Sequence, residues 1–479
     1  MLVQEVDYDI PTESEWERLK FYSSRIRRIE YVPHTYHATT LEKTQWGDSW
    51  ATIMDCSVDR DLREFRRICR ALAPRSSQPL FPNLQHVEFP QLGFAIQCLD
   101  IFLRGKNISL SLRWGDVDSK PEHDESLATF FDIIEKQSLQ LQELDLGSFG
   151  DRGAAESASL SKVVQKMKNL RSLACGSRKL TSTALHTLAK FPNLHKLQIP
   201  NNSADLLQAT TMSKTIFPLL QHLTIREDSL LSFATFLGNM PHPVSLRTLT
   251  VYLTKLNDPT HLQKLLHNLS RRVEKLGDVD GIVFKYVKYG VVMRSAVEVD
   301  HPPTVYAQML EPLLRFRNLT HLNLDVPWLF SLSDDDMEAM ASAWPRLRFL
   351  QIGSKLGWGT PHLVTPKGLM SLLKGCRDLQ HLSFSFNAEL EPPDVSMITR
   401  DHVNTQIDYL YVGDSPLPLH NISRLAVFLQ HIFPKLSGVG GCWLMSGNRD
   451  WGSMESAIRE TWDAMVDIIN IRNHTIQLN

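Results

Sequence analysis

Large apolar residues recur along this chain in one short phrase: an anchor, two tolerant positions, then apolar positions alternating with polar ones. The phrase reads FPNLQHVEF at 81–89, FPNLHKLQI at 191–199, FPLLQHLTI at 217–225, WPRLRFLQI at 344–352 and FPKLSGV at 433–439. Versions without the proline are LQLQELDL at 139–146, KNLRSLAC at 168–175, VSLRTLTV at 244–251, RNLTHLNL at 317–324 and RDLQHLSF at 377–384. Weaker copies are RRVEKLGD at 271–278 and TQIDYLYV at 405–412. The first anchors are Leu84, Leu141, Leu170, Leu194, Leu220, Leu246, Val273, Leu319, Leu347, Leu379, Ile407 and Leu436. Most neighbours lie 24 to 29 residues apart, as from 141 to 170 and from 170 to 194. The wide step from Leu84 to Leu141 hides a divergent copy, ISLSLRW at 108–114, which alternates like a strand.

The last two anchors of each phrase obey the period of a short strand and face one side. Between phrases lie segments with a helical apolar stripe: 125–137, 159–170, 229–240, 261–272 and 305–316. Several open on capping signals, among them Thr181, Asp258-Pro259, Ser333 and Thr365-Pro366. One strand and one helix cannot bury their apolar faces alone, but stacked units share a continuous core. The pattern therefore predicts an α/β leucine-rich-repeat solenoid: a curved array with parallel strands on the concave face and helices on the convex face. RIRRIEYV at 25–32 is the expected first strand, and 59–73 an expected helix, within an N-terminal lead-in and capping region at 1–80. The array spans 81–450, with an insertion at about 278–302, and a helix at 451–479 is expected to seal its end through Ile458, Trp462, Met465 and Ile469.

Composition narrows the classes. Sixty-eight leucines among 479 residues fit a repeat core. A net charge of -2 gives no bulk electrostatic case for nucleic acid or a membrane surface. Six scattered cysteines (Cys56, Cys69, Cys98, Cys175, Cys376, Cys442) form no CxxC pair, which points to a reducing, intracellular setting. The acidic, polar N-terminus does not read as a signal peptide, and no apolar run is long enough for a membrane span.

The stretch WERLKFYSSRIRRIEY resembles the segment that follows the F-box in fungal F-box proteins with leucine-rich repeats. The matching residues are Trp16, Arg18, Tyr22, Arg25, Ile26, Arg27 and Ile29. The recurring F-P-x-L phrase and RLAVFLQHIFPKL at 424–436 are also similar to that family. The resemblance implies the substrate-receptor part of a ubiquitin-ligase subunit, with a Skp1-type adaptor as partner wherever an F-box lies upstream. The family's Leu-Pro and acidic, leucine-rich opening is not found before Pro11, so no residue is assigned to adaptor contact. A stand-alone interaction scaffold unconnected to ubiquitin is the alternative, and an enzyme with an unrecognised site the remote one.

Catalytic and cofactor signatures are missing: no phosphate-binding glycine loop, no nucleophile elbow, no HExxH. GVGGC at 438–442 reads as a turn. His86, His222, His321 and His381 occupy one phrase position, too many repeats apart to share a zinc ion, and are expected to form a solvated row. The run Ser333-Asp334-Asp335-Asp336 lacks a calcium-loop pattern and suits a helix N-terminus. Sequons at Asn107, Asn201, Asn268, Asn318, Asn421 and Asn473 carry little weight without a signal peptide.

Two features mark a surface for a protein partner. Residues 282–297, around Tyr289-Gly290, suggest an inserted hairpin. The later repeats are rich in aromatics: Trp328, Phe330, Phe349, Trp358, Tyr409, Tyr411 and Trp443 are all expected near the concave face or its loop edge. Early repeats offer Glu143, Asp145, Ser172, Thr224 and Thr250 instead. Aromatics dominate interface hot spots, so the docking site is expected between about 320 and 445.

Overall fold

Every repeat phrase places its anchors where a parallel strand turns them inward. The computed structural model describes residues 13–29, 81–89, 99, 102–103, 108–112, 121–137, 141–147, 155–200, 216–241, 243–287, 302–353, 357–359, 361–441 and 453–477. The chain divides into two compact units, Met1–Gly150 with Ala154–Ile199, and Asp151–Gly153 with Pro200–Asn479.

In the first unit the helix Glu13–Ser23 leads into a short strand, Arg28–Ile29. That strand pairs in parallel with His86–Phe89, which pairs with Ile108–Leu112, then Leu141–Asp145, Ser172–Ala174 and Lys196–Pro200. The expected first strand and the divergent copy at 108–112 are therefore both real members of the sheet. Helices Pro121–Gln137, Ala158–Lys166 and Ser182–Leu188 fill the returns. The oxygens of Ser157 and Thr181 cap the last two by accepting the N–H groups of Leu160 and Ala184.

The second unit repeats the scheme with eight strands: His222–Glu227, Thr248–Leu253, Gly281–Tyr286, His321–Asp325, Phe349–Ile352, His381–Ser383, Tyr409–Tyr411 and Gly438–Gly440. Each pairs in parallel with the next, and the anchors stay in register, Leu223 opposite Leu249, Ile282, Leu322, Leu350, Leu382, Leu410 and Val439. Those residues are buried, and the polar positions between them form the opposite strand face. This α/β leucine-rich-repeat stack buries one face of every strand against the returning helices.

Several expectations change. The repeat anchor assigned to Val273 belongs to Val279, because the strand of that repeat is Gly281–Tyr286. Val273 instead makes an isolated parallel bridge to Val244. Residues 281–286 are thus an array strand rather than one arm of an inserted hairpin, and 288–297 lie outside the described residues. The single helix expected at 305–316 becomes a strand at Thr304–Tyr306, one α-turn at Ala307–Leu310 and a 3-10 stretch at Glu311–Arg315. Pro312 sits in the first turn of the 3-10 stretch and supplies no N–H to continue the preceding α-turn. The helix expected at 59–73 also lies outside the described residues.

The acidic run behaves as a cap. Ser333 and Asp336 form a reciprocal capping box at the start of the helix Asp334–Ala343. Asp334 accepts the N–H and the hydroxyl of Thr365, both at 2.7 Å, tying this helix to the next, Pro366–Gly375. The C-terminal helix Ser453–Gln477 buries Trp462, Met465 and Ile469. Trp462 donates its indole N–H to the Ser415 carbonyl at 2.9 Å and meets Phe386 edge-on.

Candidate functional site

The strand face of the second unit is where sequence and geometry converge. In each repeat the residue two after the first anchor sits at the start of the strand, pointing away from the leucine core. Parallel register lines these residues up as His222, Thr248, Gly281, His321 and Phe349, followed by His381. Strands lie about 4.8 Å apart, close to the stacking distance of flat rings. The His321 and Phe349 rings therefore stack at 4.1 Å and 11°, and Phe349 and His381 at 4.2 Å and 5°. The ladder continues through Tyr411, 5.4 Å from His381, to Tyr409, 4.7 Å from Tyr411. Its far end stops at Gly281, which adds no ring beside His321.

Burial disfavours charge along this ladder. Burial holds His321 below the ordinary imidazole value, Lys285 lowers it further, and Asp280 pulls weakly the other way. Burial pushes His381 down to about 4, with His321 adding to the shift. Burial raises the phenol of Tyr409, with Asp463 adding to it, and burial raises Tyr411, with Tyr409 and Asp408 adding. Five half-buried rings thus form one strip along the strand face.

The histidines are not the freely solvated row the sequence suggested. Nδ1 of His222 lies 2.8 Å from the Thr248 hydroxyl, and Nδ1 of His86, in the first unit, lies 3.0 Å from the Ser109 hydroxyl. The next row on the face of the second unit is also closed in. The Asn323 side chain donates to the side-chain amide oxygen of Gln351 at 2.9 Å and accepts the Asp325 N–H at 3.0 Å, and all three are buried.

Of the seven aromatics expected at the surface, Phe349, Tyr409 and Tyr411 stand on this face. Trp328, Phe330 and Trp358 do not. They are 1%, 2% and 2% exposed, so they build the core and cannot meet a partner in this conformation. Phe330 belongs to a second, two-stranded parallel ladder in which Leu329–Ser331 pairs with Thr304–Tyr306. Trp328 sends its indole N–H to the Asn257 carbonyl at 2.9 Å. Trp443 lies outside the described residues. His321 and His381, expected from the sequence only as part of a solvated row, are the ladder members that sequence reasoning missed. Their shared phrase position was the available signal.

Trp358 is held by a carboxylate from two repeats further on. Asp414 accepts the N–H of Trp358 at 2.8 Å and of Gly359 at 2.9 Å, and lies 3.0 Å from Nε2 of His362. Burial opposes its charge, but the bonds to His362, Ser385 and Trp358 outweigh that cost and hold the carboxyl below its ordinary value. The Trp358 indole donates to the Ile352 carbonyl at 2.7 Å and packs between Phe330 and Phe384. The loop needs left-handed backbone at Gly353, Gly357 and Gly359, with φ of 56°, 82° and 72°.

Other parts of the molecule offer less. A hollow in the first unit is lined by Ser161, Lys162, Lys166 and Thr181, but both lysines are tied to Glu135. Cys175 and Cys376 are buried, and burial pushes both thiols up, that of Cys376 to about 12, which removes nucleophilic thiolate at neutral pH. Among the described residues no group of three or more His, Cys, Asp or Glu side chains gathers into a metal site. Among the same residues no helix is long and apolar enough to cross a membrane.

No protein-family model matches this chain, and no curated protein does. Among solved structures, the chain is similar to an internalin from Listeria monocytogenes at 12% identity and a TM-score of 0.34, over 80% of this chain and 88% of that one.

Proposed function

We propose that this chain is a non-enzymatic protein-recognition module, working inside the cell, whose partner docks on the strand face of the second unit. The observation that carries the reading is the ring ladder of His321, Phe349, His381, Tyr411 and Tyr409. Stacking fixes these rings before any partner arrives, so little side-chain entropy is lost on binding. Pre-ordered aromatics at the centre of a surface are the usual source of hot-spot energy. The buried Asn323, Gln351 and Asp325 beside them brace the face with satisfied hydrogen bonds.

The test is to isolate a partner by affinity capture with the full chain, then measure its affinity for Phe349→Ala and Tyr409→Ala. At least one should lose about 2 kcal/mol or more with folding unchanged. Full affinity in both would place the docking surface elsewhere.

A finer reading makes this module the substrate receptor of an F-box-type ubiquitin ligase. The resemblance of Trp16 to Tyr31 supports it, as does the local order there, a helix at Glu13–Ser23 followed by a sheet-entering strand at Arg28–Ile29. Co-purification of a Skp1-type adaptor with the native protein tests it. A partner captured without any adaptor favours the stand-alone scaffold.

A further inference from the structure

The ring ladder has an unfinished end. His321 presents one face to Phe349, with centroids 4.1 Å apart and planes tilted by only 11°. Its strand lies between Phe349–Ile352 and Gly281–Tyr286, so its other face is turned toward Gly281. Among the described residues no ring stacks on that face. Gly281 stands in register between Thr248 and His321. Those two neighbours are two strand spacings apart, about 9.6 Å, which admits one further ring at the spacing of the ladder. Thr248 turns its hydroxyl the other way, to Nδ1 of His222 at 2.8 Å, and its methyl toward Gly281. A Cβ added at Gly281 would meet that methyl at 3.4 Å and the His321 Cβ at 3.9 Å, both ordinary contacts. The gap is therefore bounded by a methyl group and a flat ring, over a buried glycine floor. Val283, the next residue on the same strand face, is half-buried and extends the apolar lining. Asp280 and Lys285, to either side along the strand, carry opposite charges, so the gap has no single sign.

Resting on the recognition reading above, we propose that the gap over Gly281 receives one aromatic side chain of the protein partner, which stacks on the open face of His321 as the next rung of the ladder. His321, Phe349 and His381 already set the spacing and tilt that this rung adopts. Stacked aromatic pairs gain more than the area they bury. The ladder holds His321 in place before the partner's ring arrives, so little side-chain freedom is lost. An aliphatic side chain would fill the gap without a face to stack, and a cationic one would find Asp280 offset by Lys285.

The experiment titrates the full chain, isotope-labelled at histidine Cε1, with N-acetyltryptophanamide, N-acetylleucinamide and N-acetylargininamide in turn, and reads the histidine signals by NMR. The His321 signal, assigned by its loss in His321→Gln, should move with the indole, and the indole should bind about tenfold tighter than the leucine amide. The His86 signal, from the first unit, should stay in place. Gly281→Leu, in extended strand backbone with room for its Cβ, should abolish the response with thermal unfolding unchanged. Should that variant fail to fold, the titration of the native chain decides alone. The inference is overturned if the His321 signal does not move, if the leucine or arginine amide binds as well as the indole, or if a folded Gly281→Leu responds like the native chain. The recognition reading survives each of these outcomes while Phe349→Ala or Tyr409→Ala still weakens a captured partner. A captured partner indifferent to those two changes and to Gly281→Leu overturns both.

Discussion

Asp414→Ala removes a single carboxylate that three groups of another loop share. In the folded chain the amides of Trp358 and Gly359 donate to Asp414 at 2.8 and 2.9 Å, and the His362 ring lies at 3.0 Å. Each buried donor left without an acceptor costs roughly 1–3 kcal/mol. The three do not add in full, because the Asp414 side chain is 24% exposed and water can reach part of the gap. A loss of about 3–5 kcal/mol is expected, confined at first to the loop carrying Trp358 and to the Phe330 and Phe384 contacts under it. Hydrogen exchange with mass spectrometry reads this locally, as faster exchange of the peptide spanning 357–363, and urea unfolding reads it globally. The folded carboxyl is held below its ordinary value of 3.8. Its contribution is therefore complete above that value and fades only as pH falls through the lower folded pKa. At neutral pH the clamp is charged and the variant should show its full cost. A loss under about 0.5 kcal/mol, the range of ordinary surface changes, with exchange of 357–363 unaltered, would refute the clamp.

Three other outcomes follow from the same geometry. His381 has an ordinary value of 6.5 and a folded value of about 4, so the unfolded chain binds the extra proton first. Stability should be undiminished above pH 6.5 and fall steadily toward pH 4; His381→Phe should flatten that slope in urea titrations at stepped pH, and an unchanged slope would show that the stack does not hold the ring neutral. Gly438→Ala places a Cβ 2.6 Å from the Tyr409 ring and should cost about 1–3 kcal/mol by displacing it, with a matching loss of partner affinity; a crystal structure with Tyr409 unmoved would contradict this. Deleting 454–479 removes Trp462, whose side chain is 0% exposed, and should uncover Phe386 and the helix Ile422–Ile432; light scattering should show aggregation, and a soluble protein with unchanged thermal unfolding would disprove the sealing role.

The sequence by itself determined the repeat scheme. A strand exposes one face to the core at every second residue, so Leu223, Leu249 and Leu322 had to fall inside and His222, Thr248 and His321 outside. Capping was equally local, since Thr181, Asp258, Ser333 and Thr365 need only their own next turn. Tertiary structure alone decided the fate of residues between strand and helix. Trp328, Phe330 and Trp358 follow their strands, where no periodicity constrains direction, and a side strand at Thr304–Tyr306 and the distant Asp414 drew them inward. The anchor at Val279 was hidden because Val273 offers an equally apolar residue nearer the mean spacing, and only the pairing of Gly281 with Thr248 separates the two. The ring ladder also belongs to the tertiary level. His321, Phe349 and His381 are about thirty residues apart in sequence, and a parallel register about 4.8 Å wide is what turns three separate letters into one stack.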